Sequence, residues 1–200
     1  GDGGTGLDVI STPLIENVII ENNHSHNGGG LSFFRTHGSV LNNVIIRNNV
    51  ATAFGGGVFC YGGGITMTNV TVTGNQNLGD GQGGGMMLAG TEGTLDSMTI
   101  TNNTANGSHG GGIWTNSSGD DELGWVMTNS FISGNHSDML GGGITFAWSH
   151  PTVINTVISE NSAWWGGGGI SGINSGFTLD GSTVSDNFSY GGGGGIFAFS

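Results

Sequence analysis

A short phrase recurs seven times along this chain: an aliphatic residue, two further residues and then an asparagine. The marker asparagines are Asn23, Asn49, Asn75, Asn103, Asn135, Asn161 and Asn187. Subtracting successive positions gives spacings of 26, 26, 28, 32, 26 and 26 residues. A repeat of this length is typical of a solenoid, in which each unit stacks on the next and buries a shared core. The repeat therefore predicts one elongated domain over residues 1–200.

A glycine run follows each marker asparagine and closes on an aliphatic residue or methionine, as in Gly30-Leu31, Gly85-Met86 and Gly143-Ile144. The chain has 44 glycines in 200 residues, a composition common in disordered segments, but these glycines keep the phase of the repeat. We therefore expect an ordered turn at each run, where side chains would collide. At the other corner we expect the marker asparagine to adopt a left-handed conformation and to bond to its equivalent in the next coil.

Apolar and polar residues alternate with a period of two around each marker, which indicates β-strands. Three such stretches per repeat predict three strands per coil. The predicted fold is all-β: a single-stranded parallel β-helix of about seven coils of roughly 26 residues, with an asparagine ladder at one corner. We expect a right-handed coil because parallel crossovers strongly prefer that hand.

Two longer repeats place their extra residues at 79–82 and 117–124, and insertions in a solenoid collect in surface loops. The repeat pattern starts and stops within a coil. Because solenoids need polar caps, we expect this chain to be a fragment of a longer solenoid or a building block within a fibre.

The charge balance argues against several classes of partner. The chain has fourteen acidic residues and only two basic ones, Arg35 and Arg47. It has no lysine, and its formal net charge is −12. Binding to nucleic acid needs clustered cations, so we expect neither nucleic acid nor an anionic membrane surface as a partner. No apolar run of about 18 residues is present, so we expect no membrane insertion by this segment. The phase of Cys60 places this single cysteine in the core.

The paired motifs resemble a known family. Gly29-Gly30-Leu31 with Ile46 to Asn49, and Gly142-Gly143-Ile144 with Ile158 to Asn161, resemble the repeats of polymorphic outer-membrane proteins and related bacterial right-handed β-helix surface proteins. The chain departs from them in using Ile or Val where they favour Phe before the asparagine. The resemblance implies a secreted or surface-displayed passenger with adhesive or structural duties, hence an extracellular or cell-surface location.

An enzyme on this scaffold would place acids, bases or metal ligands in neighbouring coils of one outer face. One outward column contains Glu16, Asp96 and Asp180, but no two of these acids are in adjacent coils. In another column Arg47 lies beside Glu21, which predicts a salt bridge between strands. Since no catalytic residues converge in the pattern, we predict a non-enzymatic protein without a cofactor. The alternative is a carbohydrate-active enzyme, a polysaccharide lyase or hydrolase, or a sugar-binding module with its site outside this segment.

Two small groups of residues are candidates for other chemistry. Asp120, Asp121 and Glu122 in the longer insertion could bind calcium, although a solvated acidic loop explains them equally well. Among the Asn-x-Ser/Thr sequons, Asn106 and Asn116 are the candidate glycosylation sites, because we expect them on turns.

Threonine pairs suggest a minor alternative, an ice-binding protein. Thr71 and Thr73 would lie beside Thr99 and Thr101 in a small flat array. The array is interrupted by the apolar residues Ile19, Ile45, Phe131 and Val157 in the same column. Ordinary β-propensity therefore explains the threonines better.

Large apolar side chains outside the core phase are the strongest candidates for a functional surface. They are Phe54, Phe59, Tyr61, Trp114, Leu140, Trp164, Trp165, Tyr190, Phe197 and Phe199. A contiguous apolar stripe on a soluble protein marks a contact surface, unless more of the same chain folds over it. We expect the stripe to mediate self-association or contact with other surface proteins or glycans, so that the rod adheres or assembles, end to end or laterally, into a filament.

Overall fold

The computed structural model describes residues 11–117 and 124–200. Within these ranges the chain forms strands and turns, and no helix long and apolar enough to cross a membrane occurs. The strands make three sheets, here numbered 1 to 3, around one core.

The bounds of the strands follow the repeat. Sheet 1 contains Leu14–Glu16, Leu31–Asn42, Val58–Thr68, Met86–Asp96, Ile113–Asn116, Trp125–Thr128, Ile144–Ala147, Thr152–Ile154, Ile170–Ile173, Thr178–Asp180 and Ile196–Phe199. Sheet 2 contains Ile19–Glu21, Ile45–Arg47, Thr71–Thr73, Thr99–Thr101, Phe131–Ser133, Val157–Ser159 and Thr183–Ser185. Sheet 3 contains His24–Asn27, Val50–Phe54, Gln76–Asn77, Thr104–Ala105, His136–Leu140, Ser162–Trp165 and Phe188–Ser189.

The predicted parallel β-helix with three sheets is confirmed. Each strand pairs in parallel with its equivalent in the next coil, so that Ile46 lies beside Val72 and Val72 beside Ile100. The assignment of stretches to sheets differs from the expectation in one respect. The two stretches between a glycine run and the next repeat belong to one sheet, and the third sheet is the segment directly after the marker asparagine. That segment has only two to five residues per strand, too few for a clear alternation.

The core is a set of apolar columns that run through the coils. In sheet 2, Ile46, Ile100 and Ile132 are fully buried, and in sheet 1, Met86 and Ile113 are fully buried in the same cluster. Burial of one such side chain contributes about 2 kcal/mol of transfer free energy. Because apolar side chains of neighbouring coils stack on one another, the core is continuous along the rod.

The marker asparagines form the expected ladder. The Oδ1 atom of Asn103 accepts hydrogen bonds from the backbone N and the Nδ2 of Asn75, at 2.9 and 3.0 Å. Its Nδ2 donates to the Val72 carbonyl at 2.9 Å and to Asn135 Oδ1 at 3.0 Å. The same pattern recurs from Asn49 to Asn187, and the five asparagines from position 49 to 161 are 0% exposed. Each buried amide is therefore fully bonded.

The expectation that the marker asparagine itself adopts a left-handed conformation is wrong. The residue with positive φ is the one before it, for example Asn48 at 54° and Asn102 at 54°. Gly74 and Gly134 occupy this position in other coils, at 64° and 66°. After this bend the side chain of the marker asparagine points inward. Its amide group then forms hydrogen bonds with the marker asparagines of the neighbouring coils.

A second asparagine ladder, not predicted from the sequence, lies outside the coil at the corner between sheets 1 and 2. Asn43 Nδ2 donates to Asn17 Oδ1 at 2.7 Å, and Asn69 Nδ2 donates to Asn43 Oδ1 at 3.1 Å. All three asparagines have positive φ, between 53° and 56°. This corner therefore needs the conformation that asparagine tolerates better than most residues.

Asp96 joins the outer ladder where the two longer repeats meet. Its carboxylate accepts hydrogen bonds from the Thr128 hydroxyl, from Asn129 Nδ2 at 2.8 Å and from Ser97 Oγ at 3.0 Å. These bonds hold the pKa of Asp96 below its ordinary value, with the Thr128 hydroxyl as the main cause. The carboxylate is thus a structural acceptor at this corner.

The glycine runs make the turn between sheets 3 and 1, as expected. Gly55 begins one turn with φ at 60°. The next glycine in each run lies between coils: a Cβ on Gly84 would lie 2.4 Å from the carbonyl oxygen of Gly111 and 2.4 Å from the carbonyl carbon of Thr104. The atoms in the way are backbone atoms, so only glycine fits there.

The predicted core position of Cys60 leads to a chemical expectation. The side chain is 2% exposed within the apolar cluster, and burial raises the pKa of the thiol. Because the thiolate is the reactive form, we expect native protein to resist a disulfide reagent such as dithiobis-nitrobenzoate and unfolded protein to react fully. The absorbance of the thiolate that is released from the reagent measures the reaction of the native and of the unfolded protein. Reaction of the native protein at the rate of a free thiol would contradict the buried position.

Candidate functional site

Four exposed aromatic side chains lie in two neighbouring coils on the outer side of sheet 3. Trp164, Trp165, Phe188 and Tyr190 are 49, 60, 52 and 69% exposed. We call this group the sheet 3 aromatic surface. It contains three of the predicted contact residues, and Phe188 in addition. The sequence reasoning missed Phe188, although its position one residue after a marker asparagine, equivalent to Ser162, could have revealed it.

The rings of this surface contact one another. Trp164 and Tyr190 are stacked, with centroids 4.7 Å apart and planes 23° from parallel. Phe188 meets Tyr190 edge to face, also at 4.7 Å. Such pairs stabilise one another beyond the area that they bury. The rings therefore present a defined shape to solvent although they are exposed.

The local sequence explains why both tryptophans face outward. Ala163 is 1% exposed and points inward, so Trp164 faces out by simple alternation. Trp165 is the last residue of its strand, and Gly166 follows with φ at 71°. The change of chain direction at the glycine leaves the Trp165 side chain outside the coil.

The predicted single stripe of aromatic residues is divided in the structure. Phe59 and Trp114, predicted to be exposed, are each 7% exposed, so they do not belong to an open surface. They form a second apolar cluster with Met87 on the outer face of sheet 1. Residues of neighbouring strands cover part of this cluster. Phe54, the last residue of Val50–Phe54, packs against Phe59 with ring centroids 6.0 Å apart, and Ile173 also packs against the cluster. Sequence alternation identified the outward direction but could not show these covering residues.

The remaining predicted contact residues occupy three separate places. Phe54 and Leu140 are half-buried at the ends of their sheet 3 strands, and Leu140 is paired with Trp165. Tyr61 is 41% exposed and stacks on Phe34, with centroids 5.4 Å apart. Phe197 is half-buried and Phe199 is 43% exposed, and these two rings are also 5.4 Å apart. The sheet 3 aromatic surface is the largest exposed aromatic group among the described residues.

A histidine, a carboxylate and a serine meet beside this surface, and the sequence reasoning did not find them. His136 Nδ1 lies 2.8 Å from Ser162 Oγ, and His136 Nε2 lies 3.2 Å from Asp138 Oδ1. The other oxygen of Asp138 accepts a hydrogen bond from the backbone N of Gly107 at 2.7 Å. Alignment of the repeats on their marker asparagines would have placed His136 beside Ser162, since both directly follow a marker.

The predicted salt bridge between neighbouring strands is confirmed. Arg47 Nε lies 2.6 Å from Glu21 Oε2, and both side chains are well exposed, at 43 and 39%. An exposed pair of this kind contributes about 0.2–1 kcal/mol. Arg47 therefore forms a local contact between two neighbouring strands of sheet 2.

The hydroxyl residues of sheet 2 also lie in the register expected from the sequence. Thr73 and Thr101 are neighbours, and the Thr101 hydroxyl donates to that of Thr73 at 2.9 Å. The next column holds Phe131 and Val157, which are 43 and 39% exposed and interrupt the threonines. The face is a mixed apolar and hydroxyl surface.

The calcium candidates Asp120, Asp121 and Glu122 lie outside the described residues, as does nearly all of the insertion at 117–124. Within residues 11–117 and 124–200, no group of three or more His, Cys, Asp or Glu side chains is placed to hold a metal ion.

The two candidate glycosylation sites differ in their surroundings. Asn106 lies in a turn after Thr104–Ala105, as expected, and is half-buried, while Ser108 of its sequon is 1% exposed. The expectation of a turn at Asn116 is wrong, because this residue ends the strand Ile113–Asn116 and pairs with Ala147. The strand extends this far because sheet 1 continues on both sides of it.

One comparison with known proteins gives a match. A family model described as a right-handed β-helix region matches residues 56–200, well over half of the chain, and the predicted hand of the coil agrees with it. The comparisons with curated proteins and with solved structures give no match.

Proposed function

Because the chain belongs to the right-handed β-helix family, we propose that it is an extracellular rod with structural and adhesive duties. In this proposal the rod assembles laterally with further copies of itself through the sheet 3 aromatic surface. The observation that carries the proposal is the exposure of Trp164, Trp165, Phe188 and Tyr190, which ranges from 49 to 69%. Exposed apolar groups of this size mark contact surfaces, and tryptophan and tyrosine dominate binding energy at such surfaces.

The geometry of the rings favours a protein partner over a sugar. Trp164 and Tyr190 stack on each other, so the ring faces between them are already occupied. The stacked pair therefore presents its ring edges and outer faces, which pack well between side chains of another protein. A sugar ring packs best on a free aromatic face, and this pair leaves few free faces.

The rest of the rod supports a structural duty. The inner ladder bonds every coil to the next through buried amides, and the sheets pair in parallel along the described chain. Since each coil is held by both neighbours, the aromatic surface is fixed on a stiff support. A stiff support lowers the entropy cost of forming a contact.

The expected effect on assembly can be measured with a double variant. Replacing Trp165 and Tyr190 with serine removes the two most exposed rings of the surface while leaving the core intact. Loss of two such anchors is expected to weaken self-association at least tenfold, or about 1.4 kcal/mol. Sedimentation velocity over a range of concentrations measures the association, and electron microscopy shows whether filaments form.

A matched control uses exposed aromatics elsewhere on the same rod. The Phe34→Ser and Tyr61→Ser double variant removes a stacked, exposed pair from sheet 1. It should leave association unchanged. A wild-type protein that stays monomeric at all concentrations, or equal weakening by both double variants, would refute assembly through sheet 3.

A further inference from the structure

The contacts of His136 are more specific than a chance surface hydrogen bond. Elsewhere on the same face, His26 Nδ1 lies 3.1 Å from the Thr52 hydroxyl one coil along, the same type of pair. Among the described residues, no carboxylate forms a hydrogen bond with the second ring nitrogen of His26. At His136 the second nitrogen meets Asp138, and Asp138 is itself fixed by the Gly107 backbone. The chain therefore contains the complete arrangement at His136 and, at His26, an incomplete pair of similar type at a different position of the repeat.

This arrangement has the parts of an activated nucleophile. A carboxylate beside Nε2 favours the histidine tautomer with its proton on that nitrogen, so that Nδ1 is left as the acceptor. Nδ1 then faces the Ser162 hydroxyl at 2.8 Å, within the range for proton transfer. A nucleophile beside a base that is oriented by a third group is the general signature of covalent catalysis.

We propose that Ser162, His136 and Asp138 form a site that cleaves carboxylic esters, an activity beyond the proposed assembly. Ser162 is the nucleophile, His136 is the general base and acid, and Asp138 is a positioning residue. In an unassembled rod the site is open on the outer side of sheet 3, where the side chain of His136 is 38% exposed, and assembly through the neighbouring rings would cover it. An open site can take an ester carried on a large molecule.

The surroundings of Ser162 indicate the acyl group. Phe188 is the register partner of Ser162 in the next coil, and Trp164 follows two residues later on the same outer face. Both rings are about half exposed, so they flank the serine with apolar surface and do not enclose a deep pocket. A short acyl group such as acetyl fits beside them, while the alcohol part of the ester stays in solvent.

The reaction balances with water as the second reactant. Ser162 Oγ attacks the ester carbonyl carbon as its proton moves to His136 Nδ1. The bond to the alcohol oxygen breaks, and His136 returns the proton to the leaving alcohol, which leaves an acyl ester on Ser162. Water then attacks this ester, its proton passes to His136 and on to Ser162 Oγ, and the carboxylic acid is released.

The test uses a fluorophosphonate probe, which labels activated serines, and p-nitrophenyl acetate as the ester. We expect the probe to label Ser162, located by peptide mass spectrometry, and the wild-type protein to release p-nitrophenol at least tenfold faster than buffer. General base catalysis alone contributes about 10²–10⁴-fold. Ser162→Ala and His136→Ala should reduce both signals to background. Absence of label on the wild-type protein, or equal hydrolysis by Ser162→Ala, would overturn the proposal.

Three further variants separate the roles. His26→Ala, which disrupts the incomplete pair, should leave labelling and hydrolysis unchanged. For the positioning residue, Asp138→Asn should lower the rate at least tenfold, and Asp138→Glu should recover part of it. Failure of the glutamate to recover any activity would contradict a positioning role. Ser162→Ala keeps every ring of the aromatic surface, so its sedimentation should match the wild type, and the assembly and ester-cleavage proposals can fail independently.

Discussion

Replacing Asn103 with alanine is expected to lower the free energy of unfolding by about 3 kcal/mol or more. The variant loses two bonds that Asn103 Oδ1 accepts from Asn75 and two that Asn103 Nδ2 donates to Val72 and Asn135. The backbone N–H of Asn75 then has no acceptor in an interior where Asn75 and Asn103 are 0% exposed. Each buried group without a partner costs about 1–3 kcal/mol. Guanidinium denaturation followed by circular dichroism measures the loss.

The same substitution at the first described rung is the matched control. Asn23 is exposed, and among the described residues its side chain makes one hydrogen bond, which it donates to Asn49 Oδ1 at 3.0 Å. Asn23→Ala should therefore cost less than about 1 kcal/mol, the usual net value of one such bond. Similar losses for the two variants would show that burial of the inner ladder does not determine its contribution.

Replacing Gly84 with alanine is expected to be the most damaging small change in the rod. The new Cβ would lie 2.4 Å from the Gly111 carbonyl oxygen and 2.6 Å from the Thr104 carbonyl oxygen, in two directions at once. No side chain can move to relieve these contacts, so the coils themselves must separate. Overpacking in a close-packed interior costs about 1–3 kcal/mol when side chains can adjust, and we expect a loss at or above about 3 kcal/mol here. The midpoint of thermal unfolding gives the direct measurement.

Gly64 provides the control for this change. A Cβ there would meet its nearest neighbour, the backbone N of Gly38, at 3.5 Å, which is an ordinary contact. Gly64→Ala should change the free energy of unfolding by no more than about 0.5 kcal/mol. A mild effect of Gly84→Ala, equal to that of Gly64→Ala, would mean that the glycine runs do not set the spacing of the coils.

Most of the fold could be predicted from the sequence because the physical rule is local and repeated. The marker asparagines and the glycine runs fix the start and end of every coil, and the alternation shows which side chains point inward. The outer ladder of Asn17, Asn43 and Asn69 has the same spacing of 26 residues, and alignment of the repeats would have revealed it. The merging of two stretches into sheet 1 was not visible, because it depends on the path of the chain between them.

The candidate surface was only partly predictable. The sequence identified Trp164, Trp165 and Tyr190 because they lie outside the core phase. In the structure these three side chains are exposed. Phe59 and Trp114 also lie outside the core phase, but they are buried in a second apolar cluster with Met87. The phase of a residue therefore predicts the direction of its side chain, but it does not predict whether other residues cover that side chain. The prediction of a non-enzymatic rod stays a prediction, and measurements on Ser162 will test it.

Spacing along the chain was enough to predict the solenoid, its inner ladder and its glycine turns. Which outward residues meet could be seen only in three dimensions. The stacking of coils brings residues 26 positions apart to hydrogen-bonding distance, so His136 reaches Ser162. The packing of the coils also buries Phe59 and Trp114 in a second apolar cluster and leaves the sheet 3 aromatic surface open. Contacts between side chains in different coils depend on register and on the path of the turns, and neither is encoded in any single repeat.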